Sequence, residues 1–156
     1  MKEEDRGNET AVPEGFRRVT VATPRGEIVE CGPEAILSDH ATRFMIDHMA
    51  VPPGARVAEA GCGTGVLSIY AALAGASQVT GTDIDDEALE AARLNGRING
   101  AEHIRFLKGS LLDPVPDRRE EDPVLRVDAA GGGGDGEAAV LRDRPGEGDR
   151  CARTVE

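Results

Sequence analysis

The stretch with the most chemical content is Val57-Ala58-Glu59-Ala60-Gly61-Cys62-Gly63-Thr64-Gly65. A short strand-like run meets glycines at 61, 63 and 65, with Cys62 between the first two, and passes straight into an apolar helical stretch. Glycines let a backbone turn sharply and approach a ligand with no Cβ in the way. The helix N-terminus behind them offers free N–H groups and the positive end of its dipole to a carboxylate or phosphate. Asp83 lies 22 positions after Gly61, at the end of the next strand-like run. That is the usual place of a carboxylate that accepts hydrogen bonds from ribose hydroxyls. The two features predict an adenosine-containing cofactor lying across strand ends. A dinucleotide turn, G-x-G-x-x-G, requires glycine at position 66. Val66 stands there, and Gly65 gives the tighter G-x-G-x-G instead.

The flanking residues predict the elements that hold this turn. Val19, Val21, Ile28 and Val29 flank Thr23-Pro24-Arg25-Gly26, whose Pro and Gly suit a tight turn, so residues 18–31 read as a β-hairpin. Pro33 opens an expected helix to Met49, with Ile36, Leu37, Ala41, Phe44, Met45 and Met49 on one apolar face. Pro52-Pro53-Gly54 ends it. Strands are then expected at Arg56–Ala60, Gln78–Thr82 and His103–Leu107. Helices are expected at Val66–Ala74 and from an Asp85 cap to Ile98, with Leu89, Ala92 and Gly96 as the second helix's packing face. A β-α-β-α-β run specifies a parallel sheet with right-handed crossovers.

Composition narrows the rest. The chain has 156 residues, the size of one domain, with 39% hydrophobic and 30% charged residues. Aromatics are 3%, with no Trp, so the core must be built from Ala, Val, Leu and Ile. A net charge of -11 argues against a non-specific nucleic-acid coat. No apolar run is long enough to span a bilayer, and the acidic start, Met1 to Arg6, does not read as a secretory signal. Cys31, Cys62 and Cys151 have no C-x-x-C spacing, which speaks against a disulfide framework or a zinc site and for the cytoplasm. His40 and His48 stand about two helical turns apart, too far to share an ion, and no metal site is expected. Residues 1–15 read as a mobile tail. Beyond Asp113, residues 114–156 are Gly, Ala, Arg, Asp, Glu, Pro and Val with few others, and only Val124–Val127 is strand-like. Such a segment buries too little apolar surface to offset its ordering entropy, and reads as a disordered or frame-shifted tail.

The G-x-G-x-G pattern resembles the first motif of class I AdoMet-dependent methyltransferases, and the likeness extends to both sides. Glu59 stands where that family has Asp or Glu, two residues before the first glycine. Val79-Thr80-Gly81-Thr82-Asp83-Ile84-Asp85 resembles its second motif, Glu87 to Asn95 the helix that follows, and Phe106 to Leu112 its third-strand motif. The likeness covers roughly residues 52–113, and the chain looks most like methyltransferases of ribosomal proteins or release factors and the related small-domain group. It implies a Rossmann-like α/β sheet, here incomplete, preceded by the hairpin and helix over residues 16–113. It implies S-adenosyl-L-methionine as cofactor. Glu59 would hold the turn and help place the methionine amino group. Gly61, Cys62, Gly63 and Gly65 would line the methionine and ribose. Asp83 would bind the ribose hydroxyls, and Ile84 would pack on adenine. Ser110 replaces the family's more usual Asp at the adenine amino group, with Leu111 as its apolar neighbour.

The acceptor side is not legible in the same way. The resemblance implies an Asn-Pro-Pro-type motif after the fourth strand, and Val127-Asp128-Ala129-Ala130-Gly131-Gly132 stands roughly there. No catalytic residue is assigned. Asp128 reads first as a solvated loop carboxylate. Ser38 to Arg43 could cover the cofactor or simply form a packing helix with Asp39, His40 and Arg43 in water, and the second reading is preferred. Three functions compete: a methyltransferase acting on an unknown acceptor, with a protein favoured; a truncated, non-catalytic AdoMet-binding module; and a nicotinamide-dependent dehydrogenase. With about four strands in sight, one sheet edge would be open to oligomer formation.

Overall fold

In a computed structural model, residues 10–110 are described together with the backbone of two strands, 124–128 and 139–142. The rest of the expected N-terminal tail and most of residues 114–156 lie outside the described residues.

The hairpin forms as expected from β1, Arg17–Thr23, and β2, Gly26–Gly32, paired antiparallel with Thr23 opposite Gly26. Thr23 closes the turn: its hydroxyl donates to Gly26 O at 2.6 Å and accepts from the Arg25 N–H at 3.1 Å. The helix expected from Pro33 is broken. Glu34–Ile36 is a single 3₁₀ turn, Leu37 is extended, and α1 spans only His40–His48. The reason is local. The Ser38 N–H donates to the Glu30 carboxylate at 2.8 Å, and Asp39 caps a new helix by accepting from the Thr42 N–H at 3.1 Å. The apolar face is correspondingly narrower: Met45, Ile46 and Met49 are buried, whereas Phe44 is exposed and stacks on the His48 ring at 4.1 Å.

After α1 come β3, Arg56–Ala60; α2, Val66–Leu73; β4, Gln78–Asp83; α3, Asp86–Ile98; and β5, Arg105–Lys108. The third strand starts later than expected. His103 lies in a turn, because Ala101 N–H closes on Gly96 O at 2.7 Å and Ile104 N–H on Ala101 O at 3.2 Å. Strands β6, Val124–Asp128, and β7, Ala139–Arg142, complete a five-stranded sheet of order β5-β4-β3-β6-β7. Strands β3 to β6 run parallel and β7 is antiparallel on β6; β7 has no counterpart in the sequence expectation.

Helix α2 is apolar almost all round, with every residue from Val66 to Ala71 buried. Small residues let the layers close. Phe106, on β5, fills the space over three glycines: a Cβ on Gly65 or Gly81 would lie 2.9 Å from its ring, and one on Gly96 3.6 Å. Helix α3 buries a wider face than the expected Leu89, Ala92 and Gly96, adding Ala88, Ala91, Leu94 and Asn95. It packs on two surfaces at once, the sheet and the outer edge of β2. At that edge Asn95 accepts from Cys31 N–H at 2.7 Å and donates to Cys31 O at 2.9 Å. One turn on, Asn99 does the same to Val29, at 2.9 and 2.8 Å. Two side-chain amides thus pair with Val29 and Cys31, two alternate residues of β2, standing in for a neighbouring strand.

Asn95 is fully buried and also donates to Thr64 O at 2.9 Å. Asn95→Ala leaves Cys31 and Thr64 backbone groups without partners in the interior. It is expected to cost roughly 2–4 kcal/mol of folding stability, read from urea unfolding. A loss under about 0.5 kcal/mol would show that water replaces the amide at no cost.

Candidate functional site

The chain leaves β3 on one side for β4 and β5, and returns to its other side as β6. Gly61–Gly65, at the C-terminal end of β3, therefore sits where the strand order reverses. In open parallel sheets that is where the connections diverge and leave a crevice. Register places Asp128, the last residue of β6, opposite Ala60, beside the start of the turn.

Three glycines of the turn take left-handed φ values, 68° at Gly61, 53° at Gly63 and 82° at Gly65. A side chain at these positions would be strained. The turn is tied to β4 by two bonds: Cys62 N–H donates to Thr82 O at 2.8 Å, and Gly63 N–H to Asp83 Oδ2 at 2.9 Å. The second oxygen of Asp83 accepts from Asp85 N–H at 2.9 Å. Each carboxylate oxygen has two lone pairs, so each keeps acceptor capacity for another donor. Asp83 is half-buried, and Ile84 beside it is 70% exposed, unusual for an isoleucine. A Cβ on Gly63 would meet nothing within 4 Å, so the turn presents bare backbone to open space. At the far side of the turn Gly65 N–H donates to Cys62 O at 2.8 Å, and Gly65 O starts α2 by accepting from Ile69 N–H at 2.9 Å.

Under the turn lies Glu59, 2% exposed, accepting from the Ser68 hydroxyl at 2.5 Å. Burial pushes its carboxyl up to about 8, partly opposed by the Ser68 bond and reinforced by the Asp83 charge. Burial, and then Glu59 and Asp83, push the Cys62 thiol far up as well. It stays protonated and is no nucleophile.

Comparison with known proteins places this geometry. Residues 40–125 match the family described as ribosomal protein L11 methyltransferase (PrmA), more than half of the chain. The chain belongs to this family. The family's member from Acetivibrio thermocellus is 43% identical over 70 residues, 45% of this chain and 22% of that protein. The one from Ectopseudomonas mendocina is 55% identical over 53 residues, 34% of this chain and 18% of that protein. The chain thus spans about a fifth of the length of the curated relatives it matches. For the fold, precorrin-6Y C5,15-methyltransferase of Geobacter metallireducens superposes with a TM-score of 0.53 at 14% identity, over 64% of this chain and 54% of that one. The architecture is that of a class I methyltransferase sheet, incomplete in this chain.

Of the residues that the motifs single out, Glu59, Gly61, Cys62, Gly63, Gly65, Asp83 and Ile84 come together at the β3 and β4 ends. Cys62 directs its side chain inward, so only its backbone faces the turn's surface. Ser110 is exposed just past β5, and Leu111 lies outside the described residues. Asp39, His40 and Arg43 are exposed, as a packing helix requires. Residue-by-residue reading missed Glu30, Thr64, Ser68 and Asn95, all buried against the turn or the strand before it. A signal existed for two of them: Ser68 interrupts an apolar helix, and Glu30 takes an inward hairpin position two residues after Ile28. A buried polar group at such a place demands a partner.

The Glu59 carboxyl binds its proton more tightly in the folded protein (about 8) than at its ordinary value of 4.5. The stability this confers is full below the lower value and is lost as pH rises through the higher one. Urea midpoints of the wild type should therefore fall between about pH 5 and about pH 9, and those of Glu59→Gln should fall less. Parallel pH profiles would show that Glu59 is ionised throughout.

Proposed function

We propose that this chain carries the AdoMet-binding part of an enzyme that transfers a methyl group from S-adenosyl-L-methionine to a protein side chain. Its named relatives point to ribosomal protein L11 as the acceptor. The observation that carries the reading is the pairing of Gly63 N–H with Asp83 Oδ2 at the sheet's switch point, with the free side of that carboxylate and an open glycine backbone next to each other. Asp83 accepts the two ribose hydroxyls. Gly61, Gly63 and Gly65, with the Cys62 backbone, lie along the ribose and methionine, and a Cβ on Gly63 would project into that open space. Ile84 covers one adenine face, and Ser110 accepts a neutral hydrogen bond from the adenine amino group, with Leu111 as its apolar neighbour. Glu59 braces the turn from below through Ser68 and places the methionine ammonium, directly or through a water.

When bound, the cofactor supplies a sulfonium whose methyl carbon is electrophilic. The protein's part is then to hold the acceptor nitrogen in line and exclude water, and a neutral amine needs no strong base. The acceptor-orienting group would stand at the C-terminal end of β6, beside the turn, and this chain has no Asn-Pro-Pro-type motif there. One observation favours a second reading, a non-catalytic AdoMet-binding module: relatives that carry the activity's name are about five times longer than the segment they share with this chain. A cytoplasmic location fits a ribosomal acceptor, and among the described residues no helix is long and apolar enough to cross a membrane.

Calorimetric titration with AdoHcy and NAD, side by side, tests the cofactor. AdoHcy should bind and NAD should not. Asp83→Ala should weaken AdoHcy binding by about 1–3 kcal/mol, the scale of a charged acceptor lost from ribose. Unchanged affinity would remove Asp83 from the site. Methyl transfer from labelled AdoMet to purified L11 separates the two readings: incorporation establishes an enzyme, and binding without incorporation establishes a module.

A further inference from the structure

The hairpin lies outside the sheet, yet it reaches the glycine turn through one fully buried carboxylate. Glu30, on β2, has 0% exposure. Its Oε1 accepts three hydrogen bonds: from Ser38 N–H at 2.8 Å, from the Ser38 hydroxyl at 3.0 Å and from the Thr64 hydroxyl at 2.7 Å. Its Oε2 is buried with no partner among the described residues. Thr64 is the residue between Gly63 and Gly65, and its carbonyl is held from the opposite element by Asn95 at 2.9 Å. The approach is close enough that a Cβ on Gly32 would meet the Thr64 methyl at 3.0 Å. A buried carboxylate with one orphan oxygen is costly, and three donors on one atom only partly offset that cost. A hairpin that served packing alone would be cheaper with an apolar residue at this inward position.

We infer that Glu30 is a positioning residue for the cofactor turn: the hairpin, through Glu30 and Thr64, sets the backbone of Gly63–Gly65 in its binding conformation before the cofactor arrives. The inference rests on the cofactor reading above. Its physical basis is preorganisation. A glycine-rich turn has more freedom to lose than any other segment, and whatever restrains it beforehand lowers the entropy lost on binding. Asp83 holds the turn at Gly63 and Asn95 at the Thr64 carbonyl; Glu30 alone holds the Thr64 side chain among the described residues.

The test uses the full chain and two readouts, AdoHcy affinity and hydrogen exchange of the peptide spanning residues 61–66 without ligand. Thr64→Val keeps the shape and removes the donor, so it preserves the fold better than truncating Glu30. Thr64→Val and Glu30→Ala should each raise the AdoHcy Kd about tenfold, the size of one charge-assisted hydrogen bond. The double variant should be no weaker than the poorer single one, because both remove the same contact. Glu30→Gln retains the acceptor and should stay within about threefold of the wild type. Exchange across residues 61–66 should quicken in Thr64→Val at a temperature where circular dichroism shows the variant folded. A Thr64→Val protein that matches the wild type in both affinity and exchange overturns the inference. So does a double variant whose losses simply add. A wild type that binds no AdoHcy overturns the cofactor reading instead, and exchange in Thr64→Val then still decides whether the hairpin restrains the turn.

Discussion

Five residues between β3 and α2 adopt a conformation that one local hydrogen bond is too little to maintain. Three of them are glycines with left-handed φ values, and the turn's own internal bond is Gly65 N–H to Cys62 O. Ordering a residue costs about 1–2 kcal/mol of conformational entropy, and a typical hydrogen bond returns roughly 1 kcal/mol. The turn therefore depends on bonds brought from outside. They come from three elements: β4 supplies Thr82 O and Asp83 Oδ2, α3 supplies Asn95, and β2 supplies Glu30. Sheet, helix and hairpin converge on this one loop.

The packing beneath follows from the same need for close approach. With aromatics at 3% of the chain, one ring, Phe106, does the filling where Gly65, Gly81 and Gly96 leave room. Shape is matched by pairing a single large side chain with three absent ones, which brings α2, α3 and β4 near enough for the turn to reach Asp83 and Asn95. Interiors at native packing density tolerate little departure from such a fit. The glycines at 81 and 96 thus belong to packing, and those at 61, 63 and 65 to the turn, although Gly65 serves both.

Polar burial is the counterpart. Glu30, Glu59 and Asn95 are among the least exposed residues of the chain. Each lies within one hydrogen bond of the turn or of the helix that follows it: Glu30 to Thr64, Asn95 to Thr64, Glu59 to Ser68 on α2. Groups that are costly to bury concentrate where position matters more than stability. The raised Glu59 carboxyl is a result of that burial.

Much of this was legible in the residues themselves. Alternation of strand and helix signals, the Asp85 cap and the glycine spacing are local properties, encoded within a few positions of each other. They located β3, α2, β4 and α3 to within a residue or so, and they singled out the glycines and Asp83; Glu59 stood out only through the family resemblance. Local patterns failed where a distant group decides. The helix expected from Pro33 breaks because Ser38 bonds back to the buried Glu30 on β2, eight positions earlier. Phe44 leaves the expected face and stacks on the ring of His48, one turn further along α1. Strand β7 pairs on β6 in a stretch whose composition carries little strand signal. Above all, the partners of the turn sit 31 to 34 positions away along the chain, at Asn95 and Glu30. A one-dimensional pattern states which groups are polar and periodic. Which of them meet is settled only when the elements pack, because a hydrogen bond depends on separation in space and not along the chain.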